Sequence, residues 1–133
     1  MAKIIIGVFI LLHGLVHVLY VGHSLGFFDI ASRLRWPESS WALAKALPVK
    51  SIKRLAGIVM LAAALLFLFS GIGLISDRAW WRPILGATIA VSSLGYLLFW
   101  NGKWQRLSDQ GLIGVLINIA MLVLAAFIRL PII

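Results

Sequence analysis

The chain has 133 residues, 62% of them hydrophobic and 12% charged, with no cysteine and a formal net charge of +8. The charged share is about half that of ordinary soluble domains, which points to a membrane protein, and the lack of cysteine excludes disulfide relays, thiolate metal sites and Cys nucleophiles. A pI near 11.0 would suggest nucleic acid in a soluble chain, but here the basic residues fall between apolar runs, so no nucleic-acid role follows.

Crossing roughly 30 Å of hydrocarbon takes about 20 mostly apolar residues. Residues 4–22, 55–75, 84–100 and 112–128 qualify, and none of these runs contains Asp, Glu, Lys or Arg. The pattern predicts an all-α integral membrane four-helix bundle, a single domain over 1–133. Tryptophans favour the headgroup boundary, and Trp36, Trp41, Trp80, Trp81, Trp100 and Trp104 all fall near run ends. The first run resembles a secretory signal, with Lys3 ahead of an apolar stretch, but it lacks a small-x-small cleavage site and reads as a span.

Cytoplasmic loops retain the excess of Lys and Arg. The first and third loops carry Arg33, Arg35, Lys45, Lys50, Lys53, Arg54, Lys103 and Arg106, against Lys3, Arg78, Arg82 and Arg129 on the other side. The expected location is therefore the inner (plasma) membrane, multi-pass, with both termini outside. Only the first loop is long. Its stretch "WPESSWALAKALP" (36–48) carries Pro37 at a helix start, apolar Trp41, Leu43 and Leu47, and Pro48 as a stop. It reads as a short interfacial helix, and the second span then begins at or after Pro48, entered through the basic cluster Lys50, Lys53 and Arg54. That helix is either a connector resting at the headgroups, the favoured reading, or a lid or contact for anionic lipids through the basic loop.

Helices satisfy their own backbone, so the informative groups are intramembrane polar side chains. In "LLHGLVHVLYVGHS" (11–24), His13, His17, Tyr20 and Ser24 lie within about 60° of one helical face, while His23 sits toward the loop. The third run places Thr88, Ser92 and Tyr96 at steps of four, beside Gly95, and the fourth lines up Gly111, Gly114, Asn118, Met121 and Ala125. Small residues allow close helix approach, and an Asn among them can bond across the interface. Counting about 1.5 Å per residue from the run ends predicts two polar layers. His13 should meet Ser92 or Ser93 at mid-depth, and His17 should meet Tyr96 and Asn118 nearer the cytoplasm.

Several chemistries fit histidines there. His-Gly-Leu-Val-His has the i, i+4 ligand spacing of zinc peptidases without their general-base Glu, and no intramembrane carboxylate or thiolate supplies a third ligand. Met60 or Met121 with His13 and His17 would suit copper better than zinc. A haem would need a second protomer's His or one of those methionines, because both histidines share one face of one helix. A quinone site or proton relay would draw on His13, His17, Tyr20, Ser92, Tyr96 and Asn118. The plainer reading, given the greatest weight, is that the histidines tie helices together, at about 1 kcal/mol per bond.

On "LLHGLVH" (11–17), "AALLFL" (63–68) and the series Trp104, Gly111, Asn118, the sequence resembles a group of small bacterial and archaeal four-helix membrane proteins of uncharacterised function with an HGxxH first helix. Related chains carry this block ahead of a soluble domain, which implies a membrane module rather than a complete enzyme. Gly7, Phe9, His13 and Gly14 are also similar to the first helix of DoxX-like proteins, which departs from this chain at Val16 and His17. That resemblance implies association with redox or quinol oxidase complexes.

Three functions follow as expectations. The first is a membrane interaction or accessory module, without enzymatic activity, whose partners are the bilayer, a second copy or a membrane complex. The second is a redox-associated protein binding quinone or haem at the His13/His17 face. The third is a small proton-coupled transporter, disfavoured because no intramembrane carboxylate exists to couple. The haem version predicts a Soret band in protein purified after haem-supplemented expression, and a colourless preparation removes it.

Overall fold

The structure is a computed structural model that describes residues 1–29 and 36–127. Arg33, Arg35, Ile128 and Arg129, used above in placing charge and the fourth run, lie outside the described residues. The described residues form four α-helices and no strand: α1 (Ala2–Ser24), α2 (Val49–Ile75), α3 (Trp81–Leu98) and α4 (Leu112–Phe127), with 3-10 turns at Trp104–Arg106 and Ser108–Gln110 between the last two. Two of them, α1 and α2, are long and apolar enough to cross a membrane, whereas α4 is apolar but shorter.

Helix α2 starts six residues ahead of the apolar run, at Val49, because Pro48 sits extended at the N-cap with ψ 153°. Lysine and arginine are good helix formers, so the basic cluster Lys50, Lys53 and Arg54 forms the opening of the helix, as expected for a span entered through it after Pro48.

The interfacial helix expected within 36–48 is not present; residues 41–46 form consecutive turns. Leu47 N–H bonds the Leu43 carbonyl at 2.9 Å and Ala44 N–H the Ser40 carbonyl at 3.0 Å, but Pro48 has no N–H with which to continue. The segment is instead committed to the end of α3, whose last carbonyls have no helical partners. Ser40 Oγ donates to the Leu98 carbonyl at 2.5 Å, Trp41 Nε1 to Leu97 at 2.8 Å, and Trp41 N–H to Trp100 at 2.9 Å. Glu38 completes the clasp by accepting from Asn101 Nδ2 at 3.1 Å and pairing with Arg106 at 3.4 Å. At the opposite end Lys3 pairs with Asp77 in the α2–α3 turn.

Sequential helices pack on one another: α1 on α2, α2 on α3, α3 on α4. The first pair packs most extensively. A Cβ at Gly14 would stand 2.8 Å from Phe67 Cβ and 3.2 Å from the Ala64 carbonyl oxygen, so only glycine lets α1 lie this near α2. Two apolar clusters fill the interior. One joins Ile10, Phe67, Leu74, Trp81, Leu85, Ile89 and Met121, and the other Trp36, Ile52, Ala56, Met60, Tyr96 and Phe99. Trp36 and Trp81, expected at a boundary, turn inward and are 1% and 0% exposed. Large apolar side chains cover the outside instead, among them Ile5, Leu12 and Leu15 on α1, Ile58 and Phe69 on α2, Leu94 on α3, and Ile113, Leu116 and Leu122 on α4.

Overpacking a tight contact costs about 1–3 kcal/mol, so Gly14→Ala should lower the thermal midpoint in detergent. Gly86 has nothing within 4 Å of its would-be Cβ. Gly86→Ala should leave the midpoint unchanged or raise it, by up to about 1 kcal/mol from helix propensity.

Candidate functional site

Between the two apolar clusters each helix contributes its middle. On α1 His13 and His17 lie between Ile10 and Tyr20, on α3 Ser92 and Ser93 lie between Ile89 and Tyr96, and on α4 Asn118 lies between Val115 and Met121. From α2 only Phe67 borders them with a ring, its centroid 4.9 Å from that of His13 and 5.0 Å from that of His17. His17, Ser92 and Asn118 are wholly buried and His13 is 5% exposed. Burial at that depth requires every polar group to find a partner.

The partners form a directed circuit. His17 Nδ1 lies 2.9 Å from the His13 backbone carbonyl oxygen, one turn earlier on the same helix. A carbonyl only accepts, so Nδ1 carries the hydrogen and, in a neutral ring, Nε2 is bare. The Ser92 hydroxyl, 2.7 Å away, then donates to that Nε2. Ser92 Oγ in turn accepts from Asn118 Nδ2 at 2.9 Å, and the same amide donates to Ser93 Oγ at 3.0 Å. Asn118 Oδ1 is left to accept from His13 Nε2 at 3.1 Å. Starting at His13, the donors run through Asn118, Ser92 and His17 back to the His13 carbonyl, tying α1, α4 and α3 together.

This replaces the two layers expected from residue counting with one. His13 pairs with Asn118 and His17 with Ser92, the reverse of the expected assignment. A helical side chain reaches about one turn along its axis, enough for the longer Asn118 and His17 side chains to meet Ser92 from adjacent levels. Tyr20 and Tyr96 stand beside the circuit rather than in it. The Tyr96 ring lies 5.8 Å from that of His17 and 5.6 Å from that of Tyr20, and Tyr20 meets Trp36 edge-on at 5.3 Å.

No protein-family model, curated protein or solved structure matches the chain.

For metal chemistry, no group of three His, Cys, Asp or Glu side chains able to hold an ion occurs among the described residues. Met121 belongs to one apolar cluster and Met60 to the other, so the two methionines fall on opposite sides of the histidines. Both nitrogens of His17 are engaged, so a metal or haem iron would first have to displace Ser92 or the His13 carbonyl. Sequence reasoning missed the inward placement of Trp36 and the neighbourhood of Phe67. Apolar residues at helical spacing read as core without saying which of them touches a histidine.

Interhelical hydrogen bonds in membranes average about 0.6 kcal/mol and reach about 1.7, and members of one circuit couple. In a double-mutant cycle His17→Ala and Ser92→Ala should therefore be non-additive by roughly 0.5 kcal/mol or more in thermal or denaturant unfolding. Ser93→Ala, which removes one end of a side branch, should cost less than Asn118→Ala, which removes a circuit member.

Proposed function

We propose that this chain is a four-span protein of the inner membrane, with both termini outside, acting as a non-enzymatic interaction or accessory module. In this reading the His–Asn–Ser circuit fixes how its helices assemble. The observation that carries it is the closed circuit itself: every donor in it is spent on another member of the bundle. Such a layer sets register, because sliding one helix past another strands buried polar groups.

The distribution of side chains supports the membrane part. Polar groups lie inside and large apolar ones outside, opposite to what water rewards and as lipid requires. All four acidic residues, Asp29, Glu38, Asp77 and Asp109, lie outside the four helices. With no carboxylate in the layer, proton-coupled transport is the weakest of the three readings.

One observation favours the quinone reading as a second choice. Ser93 accepts from Asn118 and also lines a groove of about 350 Å³ between α3 and α4, with Trp100, Trp104 and Leu107 farther along it. Its hydroxyl proton is the donor a quinone carbonyl would need. Quinone recovered by lipid extraction of purified protein, and lost with Ser93→Ala, would favour this reading over a structural layer.

The leading reading predicts that His13→Ala, His17→Ala and Asn118→Ala each reduce assembly or thermal stability in detergent. Unchanged stability in all three sinks it. Because the chain has no cysteine, its topology can be read without background. Ser76→Cys should react with an impermeant maleimide in intact cells and Ser39→Cys only after permeabilisation, and the opposite pattern reverses the orientation.

A further inference from the structure

The end of α1 opens into a second polar site that the circuit does not use. A cavity of about 460 Å³ is lined by His23, Ser24, Asp29, Trp36, Glu38 and Lys53. That volume falls in the range of roughly 300–1,000 Å³ typical of small-molecule sites and far exceeds the ~30 Å³ share of a single water. Two of its lining residues carry buried ring nitrogens with no hydrogen-bond partner among the described residues, His23 Nδ1 and Trp36 Nε1. The nearest charge to His23 Nδ1 is Asp29 Oδ1, at 3.6 Å, too long for a hydrogen bond. Buried donors are rarely left empty-handed, and an indole N–H can only donate. Any partner of the Trp36 indole would be an acceptor, but that nitrogen is itself buried, so the charged side chains at the rim decide what the cavity holds.

The charges around the cavity narrow the class further. Lys53 is exposed and pairs with no acid among the described residues. Asp29 is 88% exposed at its side chain, and Glu38 already shares its charge with Arg106. A purely anionic occupant would meet Lys53 but also the Asp29 carboxylate, and a purely cationic one would leave Lys53 unanswered. An occupant with both an anionic oxygen cluster and an ammonium group satisfies both halves. The cavity also lies where α1 ends and α2 begins, which is headgroup depth if these helices span a bilayer.

We infer that this cavity binds a zwitterionic phosphoethanolamine group, the headgroup of a membrane phospholipid, with phosphate toward Lys53 and the amine toward Asp29. The inference rests on the membrane reading above. It differs from the expectation that the basic first loop simply attracts anionic lipid, because Asp29 penalises a headgroup that has no ammonium to meet it.

The test is native mass spectrometry of the full chain released from nanodiscs holding equal amounts of phosphatidylethanolamine, phosphatidylcholine and phosphatidylglycerol. Retained phosphatidylethanolamine should exceed each of the others by about tenfold, the ratio that one charge-assisted contact supports. Asp29→Asn, an exposed change that should not affect folding, should bring the ethanolamine-to-choline ratio close to one. Lys53→Gln should reduce all bound lipid together. A lipid source predicts retention in excess soluble glycerophosphoethanolamine, and displacement by it overturns that source. Equal retention of the three lipids, or a preference that survives Asp29→Asn, overturns the proposal. Alkaline carbonate extraction of native membranes separates the two failures. Release of the chain defeats the membrane reading, whereas a chain that resists extraction yet shows no lipid preference defeats only the cavity assignment.

Discussion

The fold depends on the need to satisfy four polar side chains, His13, His17, Ser92 and Asn118, in a dry interior. Helix α4 shows this most directly. Of its residues only Asn118 and Met121 are buried, so apolar packing holds it weakly, and its one buried polar residue bonds to both α1 and α3. A circuit in which each donor has one acceptor admits one arrangement of three helices. Apolar contacts alone, being non-directional, admit many. In lipid that difference matters more than in water, because the hydrophobic effect no longer holds one helix against another.

The ends of the bundle obey the same rule by other means. The final carbonyls of α3 are bonded from the first loop through Ser40 and Trp41, and Lys3 with Asp77 joins the start of α1 to the turn after α2. The first loop is thus a cap built from side chains and turns, and its commitment to α3 is the physical reason it does not wind into a helix of its own. The middle layer and the two end clasps, separated by apolar clusters, together fix how α1, α2 and α3 align, and the middle layer alone ties α4 to them by side-chain hydrogen bonds.

How legible this was follows from which signals are local. The four apolar runs were legible because helix length and composition are properties of contiguous residues, and their middles coincide with the helices found. The face shared by His13 and His17, and the inward Asn118, followed from helical periodicity. The pairing of His13 with Asn118 and of His17 with Ser92 did not. Depth counted from run ends carries an error of several residues, as the early start of α2 at Val49 shows, and one turn of error exchanges one histidine for the other. Trp36 also misled, since an indole beside a proline near charged residues has the composition of a boundary whether its ring faces out or, as here, in.

The most direct test of the central claim is nitrogen-15 NMR of ring-labelled histidine in lipid bilayers, which distinguishes the protonated from the bare nitrogen of each imidazole. The circuit predicts opposite neutral tautomers for the two residues, with the hydrogen on Nε2 in His13 and on Nδ1 in His17, and both signals should shift in Asn118→Ala. Identical tautomers for the two rings, or signals that do not respond to loss of the Asn118 amide, would contradict it.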